Sequence, residues 1–213
     1  PQNLEDVIAL ISLYRPGPMD SIPTYLRNRH EPDKISYKTP QLAHILDVTN
    51  GCIVYQEQVM QIFRELAGFS FGQADNVRRA MSKKKHAVME AEREHFVHGC
   101  TEPGHECPGC VANGISEKVA NEIYDEMSSF ASYAFNKSHA ACYAYVAFQT
   151  AYLKCHYPSE FMAALLTSVL DNTDKVIEYS GECARLGIKV LPPDVNVSGG
   201  GFTADENGQI RFG

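Results

Sequence analysis

The sequence predicts a mainly α-helical fold with a few short strands and a C-terminal β-hairpin. Three observations carry this. Apolar residues recur at 3.6-residue spacing between clear stop signals. Polar caps stand at the head of several of these runs. Strand-like runs, apart from a brief one at Cys52-Ile53-Val54, are confined to the end of the chain. The pattern divides the sequence into a helical body, 1–190, and a short-strand and hairpin tail, 191–213.

The first helix has Leu4, Val7, Ile8 and Ile11 on one face, Asn3 as its N-cap, and Glu5 and Asp6 at the positive end of its dipole. Arg15-Pro16-Gly17-Pro18 ends it. Thr39-Pro40 starts a short helix through Leu46, and Asn50-Gly51 makes a turn. Val59, Ile62, Phe63 and Leu66 form the stripe of an amphipathic helix that stops at Gly68. Ser70 and Gln73 then form a capping box for the helix carrying Arg78 and Arg79.

A charged helix is expected from about His86 to His98. A Gly/Pro/Cys-rich loop separates it from another capped by Ser116, with Val119, Ile123 and Met127 inward. From Ala140 to Tyr157 apolar and aromatic residues occupy every side, which predicts a helix buried within the domain as the spine of the fold. Pro158 opens a helix to about Leu170, and Asn172 or Thr173 caps one ending near Gly187. Ile188–Leu191 reads as a strand. Gly201–Ala204 and Gln209–Phe212 read as a pair joined across Asn207-Gly208.

At 213 residues, with 44% hydrophobic and 21% charged residues, the chain has the composition of a soluble globular protein rather than a disordered tail or a coiled-coil rod. Its longest apolar stretch, Ala140–Leu153, is shorter than the roughly 20 residues of a membrane span, so no membrane partner is expected. With no initiator Met and an end inside a predicted strand, it reads as an excised piece of a longer protein. The net charge of −7 disfavours a nucleic-acid binder relying on overall positive charge. Arg78, Arg79, Lys83, Lys84 and Lys85 nonetheless form a basic window with no acid among them. Seven cysteines, an odd number without a secretory signal, suggest reduced thiols in a cytoplasm.

Four segments could carry chemistry. The window Asn76–Lys85 offers guanidinium forks and lysine point charges to phosphate oxygens, or else is a solvated helix end. Phe130–His139 combines aromatic rings with Asn136, Lys137, Ser138 and His139. It could stack on a base and hydrogen-bond a sugar or phosphate, or be a structural loop with Tyr133 and Phe135 in the core. Cys100, His105, Cys107 and Cys110 have the residue types and density of a tetrahedral Zn²⁺ site, against three unrelated thiols in a loop. Tyr55-Gln56-Glu57-Gln58-Val59-Met60 is polar opposite its apolar stripe, with no role assigned by spacing alone. Cys142 beside His139 reads as an inert core cysteine rather than a nucleophile.

Six segments in order resemble the bacterial C-family replicative DNA polymerases, the α subunits of DNA polymerase III. They are Leu10–Pro18, Ile53–Met60, Arg78–Met81 with Lys83–Lys85, Phe135–Ala140, Tyr157–Ala164 and Leu191–Asn196. The resemblance spans nearly the whole chain. It implies a helical fingers domain, the part of a DNA-directed DNA polymerase that closes over the incoming deoxynucleoside triphosphate in bacterial chromosome replication. By that resemblance Arg78 and Arg79 hold the triphosphate, and Lys83, Lys84 and Lys85 add positive field. Tyr133, Asn136, Lys137, Ser138 and His139 shape the pocket for base and sugar. The implied partners are the nucleotide, primer-template DNA, the other polymerase domains and replisome subunits, in a bacterial cytoplasm.

The resemblance also implies that the carboxylates holding catalytic Mg²⁺ lie in the palm, outside this sequence. No Asp-x-Asp occurs here, and Asp171–Asp174 reads as a helix cap. No catalytic residue is therefore expected in this chain, which alone should be inactive. The Cys100–Cys110 loop departs from the family's usual connection. The alternative reading is a free-standing helical module that binds nucleic acid through a zinc loop.

Overall fold

The computed structural model of the chain describes residues 1–83, 86–131 and 134–213. Among them the fold is mainly helical, with one small three-stranded sheet near the C-terminus. Two compact units are present, Pro1–Ala144 and Tyr145–Gly213. No helix of the described residues is long and apolar enough to cross a membrane.

The first unit opens with α1 (Leu4–Leu13), whose Asn3 and Asp6 form a reciprocal capping box. Helix α2 (Ile22–His30) follows. Asp6 also receives two N–H bonds from Arg29 of α2, at 2.9 and 2.5 Å. The short α3 (Ala43–Leu46) continues the 3₁₀ turn Pro40–Leu42, as Thr39-Pro40 predicts. Asn50 and Gly51 both have positive φ, +53° and +80°, as the predicted turn requires.

Helix α4 (Gln56–Ala67) buries Val59, Ile62, Phe63 and Leu66, and stops at Gly68 with φ +75°. A Cβ at Gly68 would lie 2.5 Å from the Pro108 ring, so both conformation and space demand glycine. Helices α5 (Phe71–Ser82), α6 (His86–His98), α7 (Gly109–Ala112) and α8 (Glu117–Ala131) complete a cluster around Phe63. Phe96 and Tyr124 meet the Phe63 ring edge-on, at centroid distances of 5.0 and 6.0 Å. Such aromatic pairs contribute about 0.5–1.5 kcal/mol each beyond the area they bury. A second cluster joins Ile8, Ala9 and Leu13 of α1 to Tyr25, Val54 and Tyr55, and to Ala140 and Ala144 of α9 (Lys137–His156).

The second unit packs α10 (Pro158–Ser168) and α11 (Thr173–Arg185) on the sheet. Strand β1 (Val190–Leu191) runs parallel to β3 (Ile210–Arg211), which pairs antiparallel with β2 (Thr203–Ala204). The predicted hairpin is therefore present, closed by Asp205 and Gln209 around Asn207-Gly208. Met162, Leu166, Cys183, Phe202 and Ile210 form the core of this unit.

Two sequence expectations are corrected. The Ala140–Tyr157 segment is a helix, but not one buried on all sides. Only Ala140 and Ala144 of α9 are buried, while Tyr143 and Phe148 are 58% and 57% exposed. Uniform apolarity defines no preferred face, and the first-unit core accepts only the narrow alanine edge, where small side chains permit close approach. Cys142 lies on the exposed part of that helix and is not a core thiol. Helix α2 has no counterpart in the sequence reading, although Pro23 near its start and Arg27, Arg29 and His30 in its last turn suit helix ends.

Candidate functional site

The first turn of α4 lies between the two predicted site segments. Its start is fixed by Gln58, a buried amide that exhausts its hydrogen-bonding capacity locally. The Gln58 Oε1 accepts from the backbone N–H groups of Val54 and Tyr55, both at 2.9 Å. Its Nε2 donates to the Ile45 carbonyl at 3.0 Å and to Thr49 Oγ1 at 2.7 Å. The strand-like run at 52–54 leads to an isolated parallel bridge between Tyr55 and Phe135. Phe135 N donates to Val54 O at 3.2 Å, and Gln56 N donates to Phe135 O at 3.0 Å. Segments 80 residues apart thereby become neighbours.

Arg78, on α5, faces this bridge through Gln56. Its Nε and Nη2 donate to Asp75 Oδ1 at 2.9 and 2.7 Å, and its Nη1 donates to Gln56 Oε1 at 3.0 Å. Gln56 Nε2 donates to the Ala134 carbonyl at 3.0 Å. Arg79 Nε meets the other Asp75 oxygen, Oδ2, at 2.8 Å. The two arginines differ sharply in setting: the Arg78 side chain is 18% exposed and the Arg79 side chain 66%. Asp75 is held below the usual carboxylate range, chiefly by the hydrogen bond from Arg78, with further help from both guanidinium charges and against the effect of burial.

The loop before α9 is held by Glu57. Asn136 Nδ2 and Lys137 N donate to Glu57 Oε1 at 3.0 and 3.2 Å, and Lys137 N lies 3.2 Å from Oε2 as well. Asn136 also caps α9, its Oδ1 accepting from His139 N at 2.8 Å. Lys137 Nζ stands 3.1 Å from Glu5 Oε2 and 5.3 Å from the centre of the Tyr55 ring. That contact is an ion pair by distance rather than an aligned hydrogen bond, since Glu5 Oε2 and Tyr55 Oη are buried without hydrogen-bond partners among the described residues. Burial, reinforced by the nearby Glu5 charge, pushes the Tyr55 hydroxyl pKa upward. Phe135, His139 and Tyr143 form an aromatic row, with Arg15 over the Phe135 ring at 5.0 Å.

The structure thus links Arg78 to the loop containing Asn136 and Lys137. Arg79, Lys83, Ser138 and His139 are exposed or mostly so. Lys84, Lys85 and Tyr133 lie outside the described residues. Sequence reading missed Asp75 and Glu5, and gave Gln56 and Glu57 only as part of a polar segment with no role assigned. Asp75 had a local signal, standing three and four residues before the arginines on one helix face. The roles of Gln56 and Glu57 had no local signal, because their partners are 22 to 80 residues away.

The cysteine loop is organised by its backbone. Cys100 and Cys107 exchange N–H···O bonds of 2.9 Å across an antiparallel bridge. At its neck a Cβ on Gly109 would lie 2.2 Å from Gly99 N, so this close crossing requires glycine. Cys107 and Cys110 are packed in the first-unit core, while His105 is exposed. Burial pushes the Cys110 thiol up to about 12 and also raises Cys107, so in the metal-free chain both are protonated at neutral pH. Among the described residues, no group of three or more His, Cys, Asp or Glu side chains is arranged to hold a metal ion. A separate cleft of about 420 Å³ is lined by Arg27, Lys34, Tyr37, Lys38 and Glu126, among others, and includes none of the predicted site residues.

Comparison with known proteins agrees with the resemblance read from the six segments. Residues 1–104 match the model of the bacterial DNA polymerase III alpha subunit finger domain. The chain is 51% identical over 207 residues to the DNA polymerase III subunit alpha of Thermus aquaticus, covering 95% of this chain and 16% of that protein. It is 47% identical over 212 residues to the protein of that name from Bacillus subtilis, and 44% identical over 220 residues to that from Escherichia coli. Those two alignments cover 100% of this chain and 18% of each relative. The chain therefore spans about a sixth of the length of the curated relatives it matches. It belongs to the bacterial DNA polymerase III alpha subunit family, with residues 1–104 corresponding to the finger domain.

Proposed function

We propose that this chain is the finger region of a DNA-directed DNA polymerase, binding the incoming deoxynucleoside triphosphate and positioning it for transfer to the primer 3′-hydroxyl. The observation that carries this reading is the chain of contacts from Asp75 and Arg78 through Gln56 to the Ala134–Lys137 loop. It joins a phosphate-binding type of side chain to a loop rich in groups suited to a base and sugar.

In this reaction the 3′-oxygen forms a bond to the α-phosphorus as the bond to the pyrophosphate oxygen breaks, so the protein must mainly align the groups and neutralise charge. Arg78 suits that task. Of its five N–H donors, three are engaged by Asp75 and Gln56 among the described residues, which fixes the guanidinium plane and leaves two for phosphate oxygens. Arg79 and Lys83, more exposed, with Lys84 and Lys85, supply field rather than fixed geometry. Asn136, Lys137, Ser138 and His139, with Tyr133, bound the base and sugar side. Mg²⁺ would be held by carboxylates elsewhere in the parent polymerase and would supply charge neutralisation at the phosphates. The other partners are primer-template DNA, the remaining polymerase domains and replisome subunits in the bacterial cytoplasm.

Steady-state incorporation by the full-length polymerase tests the reading. Arg78→Ala removes a charge-assisted contact worth roughly 1.5–3 kcal/mol, which lowers kcat/KM for nucleotide about tenfold to a hundredfold. Arg79→Ala lowers it as well. Unchanged kinetics in both variants would refute the assignment.

A further inference from the structure

Among the described residues, Gln56 is the one side chain that touches both halves of the candidate site. Its amide has two ends of opposite polarity, and each end meets a group that only that end can satisfy. The oxygen accepts from Arg78 Nη1 at 3.0 Å, and the nitrogen donates to the Ala134 carbonyl at 3.0 Å. Turning the amide over would set NH₂ against a guanidinium and oxygen against a carbonyl, so the orientation is dictated by the partners. The backbone of the same residue is fixed too, since Gln56 N donates to Phe135 O at 3.0 Å. Gln56 is therefore held at three points and has little freedom to reorient.

The consequence concerns Arg78. Both bonds to Asp75 end on a single oxygen, Oδ1, from Nε and Nη2. Contacts to one acceptor leave the guanidinium free to rock about that atom, because a second acceptor is what fixes the plane of a forked donor. Gln56 Oε1 is that second acceptor, engaging the remaining nitrogen, Nη1. It is neutral, so it directs the guanidinium without cancelling its charge.

We propose that Gln56 is a positioning residue for nucleotide use, acting through Arg78 by fixing its guanidinium plane relative to the Ala134–Lys137 loop. This rests on the nucleotide-binding reading of Arg78 given above. Misalignment of the order of an ångström at a phosphate contact is enough to lower the rate substantially. Gln56 is not required to touch the nucleotide itself.

The test is a double-mutant cycle in the full-length polymerase, with kcat and KM for nucleotide measured in Gln56→Met, Arg78→Ala and the double variant. Gln56→Met keeps the length of the side chain and removes both polar ends. Alone it is expected to lower kcat/KM about fivefold to tenfold, and on the Arg78→Ala background to lower it no further. Effects that multiply in the double variant, or a Gln56→Met enzyme with unchanged kcat/KM beside an impaired Arg78→Ala enzyme, overturn the proposal while leaving the nucleotide reading of Arg78 intact. An unimpaired Arg78→Ala enzyme overturns both.

Gln56→Glu separates orientation from folding. It keeps an acceptor for Arg78 and loses the donor to Ala134, and its melting temperature is read beside its kinetics. Its added charge offsets part of the Arg78 charge, so its kcat/KM should fall below wild type but stay at least twofold above that of Gln56→Met. A loss as large as that of Gln56→Met would assign the contribution to the Ala134 tie, and the orienting role would fall.

Discussion

Glu57 caps a helix that begins 80 residues further along the chain: its carboxylate accepts the backbone N–H of Lys137, 3.2 Å from each oxygen. A negative charge there complements the positive end of the α9 dipole and satisfies a donor that the helix cannot. The same carboxylate holds the Asn136 amide. Glu57→Ala should therefore destabilise the chain by about 0.5–1 kcal/mol, with Glu57→Gln recovering part of it. Urea denaturation of the three proteins checks this, and equal midpoints would deny Glu57 its capping role.

Gln58 should be the more sensitive position. Its replacement by Leu leaves the Val54 and Tyr55 N–H groups and the Ile45 carbonyl without their partner in a buried setting. With about 1–3 kcal/mol for each buried group left unsatisfied, partly relieved by local shifts, a loss of about 2–4 kcal/mol is expected. The free energy of urea unfolding measures it. A loss below about 1 kcal/mol would mean that these groups find other partners.

The start of α4 also marks the limit of what the sequence discloses. Boundaries set by neighbours in the chain were legible: the Ser70–Gln73 capping box, the Gly68 stop, the Asn172 cap and the Asn207-Gly208 hairpin all occur as read. Their causes act over a few residues. Gln56 and Glu57 were visible as a polar patch but not as a junction, because their functions depend on where α5 and α9 come to rest. The burial of α9 was misread for a related reason. Apolar side chains record a tendency to be covered, while the covering surface belongs to another part of the chain.

Thiol reactivity follows the observed burial rather than the number of cysteines. Cys142 and Cys155 are exposed, Cys100 is half-buried and engaged in its backbone bridge, and Cys52, Cys107, Cys110 and Cys183 are buried. Burial pushes Cys52 up to about 11 and Cys110 up to about 12, so both are protonated at neutral pH. A disulfide exchange reagent at pH 8 should modify two thiols rapidly, identified by peptide mapping as Cys142 and Cys155. Early labelling of Cys107 or Cys110 would show that the cysteine loop opens readily.

Glu182 gives the second unit a defined acid response. Arg185 and then Lys154 hydrogen-bond it and lower its pKa to about 2 from an ordinary value of 4.5. A depressed carboxylate stabilises the fold fully above its unfolded pKa, and that contribution disappears as pH falls through the folded value. The melting temperature of the wild-type chain should exceed that of Glu182→Gln above about pH 4.5, and the difference should close as pH approaches about 2. A constant difference from pH 6 to 2 would contradict the assigned ion pairs.

In the proposed reading Arg78 holds the nucleotide rather than the DNA. The most direct test is single-turnover incorporation by the full-length polymerase, with the rate followed against nucleotide concentration and primer-template affinity measured in parallel. For Arg78→Ala the Kd for nucleotide should rise about tenfold to a hundredfold, with primer-template affinity unchanged within about twofold. An unchanged nucleotide Kd, or a primer-template affinity that falls by the same factor, would contradict it.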